Sequence, residues 1–141
     1  MFSFWPKRPP TASLDAPTLW RRQVLERLVS DVFAASPYYH DAAFSFLQET
    51  FDPVAPLRID LFYPDYPLAI DVLPLSDSVD FREAAPYTTK AAWDIRQQQL
   101  ALKRERLEAR RCPYWAIRHY DAVDTPNLKE RVRVLLGLYP K

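Results

Sequence analysis

Glycine is almost absent from this sequence. Gly137 is the only one, against fourteen prolines, so turns have to be made by Pro, Asp, Asn and Ser. Both glycine-rich phosphate loops, the dinucleotide-binding fingerprint and the P-loop, need several glycines at fixed spacing. Nucleotide-cofactor chemistry by these two routes is therefore excluded, and no nucleotide cofactor is expected.

Cysteine and long hydrophobic runs are scarce as well. Cys112 is the single cysteine, which excludes an intrachain disulfide and any cysteine-based metal spacing. No run reaches the roughly eighteen apolar residues of a membrane helix. The aromatic, Pro-rich N-terminus lacks the basic-then-apolar order of a signal peptide. We therefore expect a cytoplasmic protein with no membrane partner.

An excess of charge of one sign is also lacking. Nineteen Lys and Arg stand against eighteen Asp and Glu, a net charge of +1, so only a local basic patch could attract nucleic acid. Apolar residues, in contrast, are plentiful: 48% of the residues are hydrophobic and 14% are aromatic. A chain of 141 residues with this composition can bury the core of one domain.

The chain divides into a short arm and a single domain. Residues 1–13 are aromatic and Pro-rich, and because proline disfavours helix we expect an extended arm that can dock on a partner protein. Residues 14–141 are expected to form one α/β domain. Hydrophobic periodicity predicts its elements. In chain order they are a helix over 15–35, a hairpin with strands at 57–63 and 68–73, a helix over 88–111, a strand at 114–118 and a helix from 125.

Two stretches between these elements are less regular. Residues 38–52 are ambiguous, because Phe44 and Phe46 alternate with Ser45 as in a strand, whereas 38–43 also suit a helical turn. Residues 74–86 carry the signals of a loop.

The hairpin places two aspartates opposite each other. With the turn centred between Asp65 and Tyr66, Asp60 faces Asp71, and the apolar residues of both strands share the other face. Opposed residues have Cβ atoms about 4.5–5.5 Å apart, so two carboxylates repel unless a cation lies between them or one is protonated. A divalent cation is the usual solution, and it can generate a hydroxide nucleophile. The alternative is a solvated sheet face on which one aspartate pairs with Arg58.

These segments resemble a known family. The hairpin strands at 57–64 and 68–72, the helix residues Gln98, Gln99 and Lys103, and the strand at 113–118 are similar to PD-(D/E)XK nucleases. The likeness is closest to the branch related to very-short-patch-repair endonucleases. It implies a restriction-endonuclease-like fold, an α/β mixed sheet core flanked by helices. It also implies that Asp60 and Asp71 bind Mg²⁺ or Mn²⁺ for phosphodiester hydrolysis of DNA or RNA.

The sequence departs from this family at three polar positions. Leu73 stands where the superfamily has a lysine, Asp77 follows where the closer branch has a histidine, and Leu100 replaces an acid on the long helix. Three basic residues are candidates for the missing positive charge: Arg58, Lys90 and Lys103. Because Arg58 is nearest by register, the predicted catalytic residues are Asp60, Asp71 and Arg58.

Other candidates lie on the helices and in the loop. The long helix carries basic residues that could neutralise nucleic-acid phosphates, although a mixed-charge solvated face explains them as well. These residues are Lys90, Arg96, Lys103 and Arg104. The possible accessory residues are Glu26, Asp77 and Gln98.

Three functions remain open from the sequence. The first is a divalent-metal-dependent nuclease with a degenerate active site. The second is a catalytically inactive nuclease-fold domain that binds nucleic acid or supports a partner protein. The third is a protein-interaction module that uses the N-terminal arm. The acid pair favours the first and the missing lysine the second; on balance the sequence predicts the nuclease.

Overall fold

The computed structural model describes residues 16–44 and 57–137, with side chains from residue 19 onward. The arm at 1–13, the predicted helix start at Asp15 and the strand-like Phe46 lie outside these ranges. The described elements are α1 (Ala16–Arg27), continued by a π-helical turn (Leu28–Val32), β1 (Tyr39–Ala42), β2 (Ile59–Tyr63), β3 (Leu68–Val72), a 3-10 turn (Leu75–Asp77), α2 (Phe81–Ala84), α3 (Lys90–Ala109), β4 (Tyr114–Ile117) and α4 (Thr125–Leu136).

The strands form one mixed sheet in the order β1-β2-β3-β4. β1 and β3 each pair with β2 in antiparallel fashion, whereas β3 and β4 are parallel. A parallel pair needs a long crossover connection, and α3 lies within it. The expected α/β class, a mixed sheet flanked by helices, is confirmed, and the ambiguous stretch contains an outer strand, β1.

The hairpin has the predicted register. Leu61 faces Ile70 and Tyr63 faces Leu68, as the turn centred between Asp65 and Tyr66 requires. The N–H of Tyr66 donates to the carbonyl of Tyr63 at 3.3 Å and closes the turn. Alternating hydrophobicity therefore predicts this part of the sheet correctly.

Helices cover both faces of the sheet. One face, with α1 and α4, carries the larger apolar cluster, and α3 covers a smaller one on the other face. The first cluster contains Val24, Leu28, Phe33, Leu61, Tyr63, Leu68, Ile70, Val72, Trp115, Ile117, Leu128 and Leu135. The second contains Leu57, Ile59, Ala69, Leu107, Cys112 and Tyr114.

Ile59 is on the face opposite to the one predicted. Strict alternation assigns it to the same face as Leu61 and Tyr63, yet it packs with Leu57 and Tyr114 in the cluster below α3. The prediction for Ile59 is wrong because the β2–β3 pairing ends at Leu61 and Ile70. Beyond them, the side chains of Asp60 and Asp71 bind the backbone of the opposite strand instead.

The predicted loop at 74–86 contains two short ordered elements, the 3-10 turn and α2. The carboxylate of Asp80 caps α2 by accepting the N–H of Arg82 at 2.9 Å. The indole N–H of Trp93 in α3 donates to the carbonyl of Ser78 at 2.7 Å and so fastens this segment to α3. Elements of three and four residues are too short to produce a hydrophobic period, so this expectation was wrong.

Candidate functional site

Asp60 and Asp71 lie next to each other, near the end of the hairpin ladder. The N–H of Asp60 donates to Oδ1 of Asp71 at 2.8 Å, and the N–H of Val72 donates to Oδ2 of Asp60 at 2.9 Å. Each carboxylate therefore holds the backbone of the opposite strand. The two residues are close, but their side chains do not share one face of the sheet as predicted: Asp60 contacts Arg21 of α1, whereas Asp71 contacts Lys103 of α3. Part of the hydrogen-bonding capacity of both carboxylates is already in use.

Asp60 is paired with a cation from α1. Arg21 donates through its terminal nitrogen to Oδ1 of Asp60 at 2.5 Å and through Nε to the carbonyl of Val72 at 2.6 Å. Burial, followed by the negative charge of Asp71, raises the pKa of Asp60, and the Val72 N–H and Arg21 only partly oppose this. The Asp60 side chain keeps 24% of its surface exposed.

Asp71 is paired with a buried cation from α3. Its Oδ2 accepts hydrogen bonds from Nζ of Lys103 at 2.7 Å and from the hydroxyl of Tyr114 at 2.5 Å. Nζ of Lys103 also donates to the carbonyl of Arg58 at 2.7 Å. Burial and the charge of Asp71 raise the pKa of Tyr114, so its hydroxyl keeps the proton it donates. Asp71 is 2% exposed and Lys103 is 1% exposed.

A third carboxylate, that of Asp77, is also paired with a basic residue from a helix. It is buried, and its Oδ2 accepts Nε of Arg96 at 3.0 Å. The positive charge of Arg96 also opposes the rise in the pKa of Tyr114 that burial and Asp71 cause. We call these residues the three-pair cluster: Asp60 with Arg21, Asp71 with Lys103 and Asp77 with Arg96.

Arg58 does not supply the missing positive charge. Its guanidinium turns away to the carbonyl of Asp41 at 3.0 Å and the carboxylate of Asp41 at 3.6 Å. Only its own carbonyl takes part in the cluster, through Lys103. The strand register predicts Arg58 as the cation beside the acids, but its side chain points away from them. The cation beside Asp71 is Lys103, from the long helix α3.

The predicted phosphate-binding residues are separated in the structure. Lys103 is buried rather than on the solvated face of α3, and Arg96 is bound to Asp77. Lys90 forms a surface pair with Asp94 at 3.1 Å. The accessory candidates Glu26 and Gln98 are exposed on α1 and α3, and no described contact joins either of them to the cluster. Arg104 is half exposed beside β4, where it donates to the carbonyl of Tyr114 at 3.1 Å.

Sequence reasoning missed Arg21 and Tyr114 as members of the site. Arg21 precedes Val24 and Leu28 by three and seven positions, so it lies on the apolar stripe of α1. Lys103 lies on the apolar stripe of α3, three positions after Leu100 and four before Leu107. A cation on the buried stripe of a helix needs a buried partner, and this signal was available in the sequence.

The acid pair, in this arrangement, does not fit a shared divalent ion. Nζ of Lys103 lies 2.7 Å from Oδ2 of Asp71, while a Mg²⁺ ion would need to approach to about 2.0–2.1 Å. The two carboxylates also contact cations from different helices. Within 16–44 and 57–137 there is no group of three His, Cys, Asp or Glu residues that could hold a metal.

Comparison with protein-family models, curated proteins and solved structures finds no match to this chain. No helix in the described part of the chain is long and apolar enough to cross a membrane.

Proposed function

We propose that this chain is a non-catalytic, nuclease-like domain that binds nucleic acid and in which internal ion pairs replace a metal site. The observation that carries the proposal is the pair between Lys103 and Asp71, whose N–O distance is 2.7 Å and whose side chains are 1% and 3% exposed. A buried lysine in this position supplies the positive charge that a metal would otherwise provide.

Charge balance supports this view. Adjacent carboxylates such as Asp60 and Asp71 repel each other unless a positive charge compensates them. Arg21 and Lys103 bring two positive charges to two negative ones. A divalent cation added to this neutral group would itself be buried without compensation, which is costly in a protein interior.

Accessibility supports it as well. A nuclease site must admit a phosphodiester to the metal and to the nucleophile. Asp71, Lys103 and Tyr114 are each at most 3% exposed, so a substrate phosphate has no direct approach to them. These three residues are buried like part of a core, whereas Asp60 keeps 24% of its side chain exposed.

Binding of nucleic acid is supported by cations outside the cluster. Arg104 on α3 is half exposed, and Arg131 on α4 is exposed. Because the net charge is only +1, attraction must come from such local groups, and the affinity must fall with salt. The resemblance of the hairpin to nuclease hairpins points to nucleic acid as the partner class.

Metal-dependent cleavage is the second candidate, and one observation favours it. Asp60, Asp71 and Lys103 lie together. Two acids and a lysine are the residue types found in the nuclease family that the hairpin resembles, although here the lysine comes from α3. Asp60, whose side chain is 24% exposed and whose pKa is raised by burial, would be the solvent-facing member of such a site.

The test is a combined binding and cleavage assay. Labelled single- and double-stranded DNA and RNA are incubated with the protein in EDTA, in Mg²⁺ and in Mn²⁺, with Asp60→Asn as the matched variant. We expect binding that persists in EDTA and intact substrates throughout. Metal-dependent cleavage that is lost in Asp60→Asn would establish the second candidate, and a wild type that binds none of the substrates would reject the proposal.

A further inference from the structure

A groove runs along the free edge of the sheet, between α3 and α4. Its volume is about 520 Å³, and its walls carry Arg104 from α3 and Arg131 from α4. β4 forms the floor, and Tyr120 lies in the loop that follows it. None of these three residues belongs to the three-pair cluster, but the groove adjoins it through Tyr114 on β4, which lines the groove and donates to Asp71.

The free edge of β4 is largely closed to an added strand. Pro113 and Ile117 turn their carbonyls toward β3, so the alternation of a strand directs the backbone groups of residues 114, 116 and 118 outward. Arg104 covers the outward carbonyl of residue 114, and Asp121 accepts the outward N–H of residue 118 at 2.8 Å. Both backbone groups of residue 118 are occupied, since its carbonyl accepts the N–H of Asp121 at 3.0 Å. A peptide strand could pair only with residue 116 and the N–H of residue 114, which disfavours a peptide as the occupant.

The walls of the groove offer guanidinium groups to an anion. Arg131 makes no ion pair with any residue in the described ranges. The ion pair of Arg104 with Glu108 is long, at 3.5 Å, and its guanidinium also donates to the carbonyl of Tyr114. Guanidinium groups bind phosphate oxygens through two parallel hydrogen bonds. Glu108 and Asp121 also line the groove, and their negative charges keep its net charge small. The groove therefore suits one or two phosphates better than a long run of nucleic-acid backbone.

An exposed aromatic ring completes the groove. Tyr120 is 63% exposed, and its ring meets that of His119 edge-on at a centroid distance of 5.3 Å. Unpaired bases stack on such aromatic faces. An aromatic side chain that is this exposed, in the same groove as the guanidinium groups of Arg104 and Arg131, fits an unstacked nucleotide.

Building on the proposed function, we propose that this groove binds single-stranded nucleic acid, with a phosphate held between Arg104 and Arg131 and a base stacked on Tyr120. The volume of the groove lies in the range of sites for small ligands, which accommodates one or two nucleotides and is too small for a duplex.

The test uses fluorescence anisotropy with labelled oligothymidine, oligouridine and a DNA duplex of equal length, and a labelled polyglutamate peptide. The variants are Arg131→Ala and Tyr120→Ala. Lys129→Ala, an exposed cation on the same helix that does not line the groove, is the control, and Tyr120→Phe keeps the aromatic face. We expect roughly tenfold weaker oligonucleotide binding for Tyr120→Ala, and a salt slope reduced by about 0.7 for Arg131→Ala.

The outcomes separate the groove from the function. If wild type, Arg131→Ala and Tyr120→Ala bind the oligonucleotides with equal affinity, the groove is not the binding site, although the protein still binds nucleic acid. Tighter binding of the duplex overturns the preference for single strands. Binding of polyglutamate alone, or of no probe, overturns both proposals. If Arg131→Ala and Tyr120→Ala bind the oligonucleotides more weakly while Lys129→Ala and Tyr120→Phe remain close to wild type, the groove is supported as the binding site.

Discussion

The two faces of the central sheet are stabilised in different ways. Toward α1 and α4, side chains such as Leu61, Ile70 and Leu128 form the larger apolar core, beside which the Arg21–Asp60 pair stays partly exposed. Toward α3, the apolar cluster is smaller, and Asp71 and Lys103 are buried next to it. Apolar burial has no preferred direction, whereas a buried charge needs a partner at hydrogen-bond distance. One face therefore tolerates changes that keep volume, and the other depends on specific pairs.

The largest expected effect is on the charged face. Lys103→Met keeps most of the side-chain volume but leaves Asp71 without its cation, and breaking a buried pair from one side costs about 3–5 kcal/mol. Urea denaturation measures this as a loss of free energy of unfolding.

The control for this prediction is Lys90→Met, which removes an exposed lysine from the same helix and should cost about 0–1 kcal/mol. Adding Asp71→Asn to Lys103→Met should recover part of the loss, because the unpaired charge is then gone. Equal losses for the two lysine variants would contradict the buried-pair description.

The apolar face should respond to lost volume. Leu128 is fully buried in the larger cluster, and Leu128→Ala should cost about 2–5 kcal/mol through lost burial and a residual cavity. Leu128→Met, which nearly keeps the volume, should cost less than about 1.5 kcal/mol. If Leu128→Met lowered the free energy of unfolding as much as Leu128→Ala, packing on this face would depend on side-chain shape and not only on volume.

A smaller effect is expected at the hydroxyl that Tyr114 donates to Asp71. Tyr114→Phe keeps the ring and removes one hydrogen bond to a buried carboxylate, so the free energy of unfolding should fall by about 1.5–3 kcal/mol. Thermal or urea unfolding would measure it. An unchanged stability would mean that Lys103 and the Asp60 N–H satisfy Asp71 without this hydroxyl.

The smallest effect concerns pH. Because burial and Asp71 raise the pKa of Asp60, the folded state binds the proton more tightly than the unfolded chain. The stability of wild type relative to Asp60→Asn should therefore fall as pH rises from about 4 through the raised pKa, and then level off. Denaturation of both proteins across this range tests the sign. A relative stability that rises with pH would show that Arg21 outweighs burial.

The sequence predicts the fold better than the site. The α/β class and the hairpin register follow from local hydrophobic patterns, and both are confirmed. The partners of the acids are not local: Arg21 is 39 positions from Asp60, and Lys103 is 32 positions from Asp71. Which helix covers which face decides these pairs, and no short pattern contains that information.

Metal-dependent stability tests the central claim most directly. Urea denaturation of wild type and of Lys103→Ala is compared in EDTA and in Mg²⁺ or Mn²⁺. A bound ion would stabilise the folded state by about 2.7 kcal/mol at a hundred times its dissociation constant. We expect no change in the stability of wild type, because Lys103 and Arg21 already neutralise the acids, and we expect metal to stabilise the variant that lacks the lysine. If metal stabilises wild type as strongly as Lys103→Ala, the ion pairs do not replace a metal site.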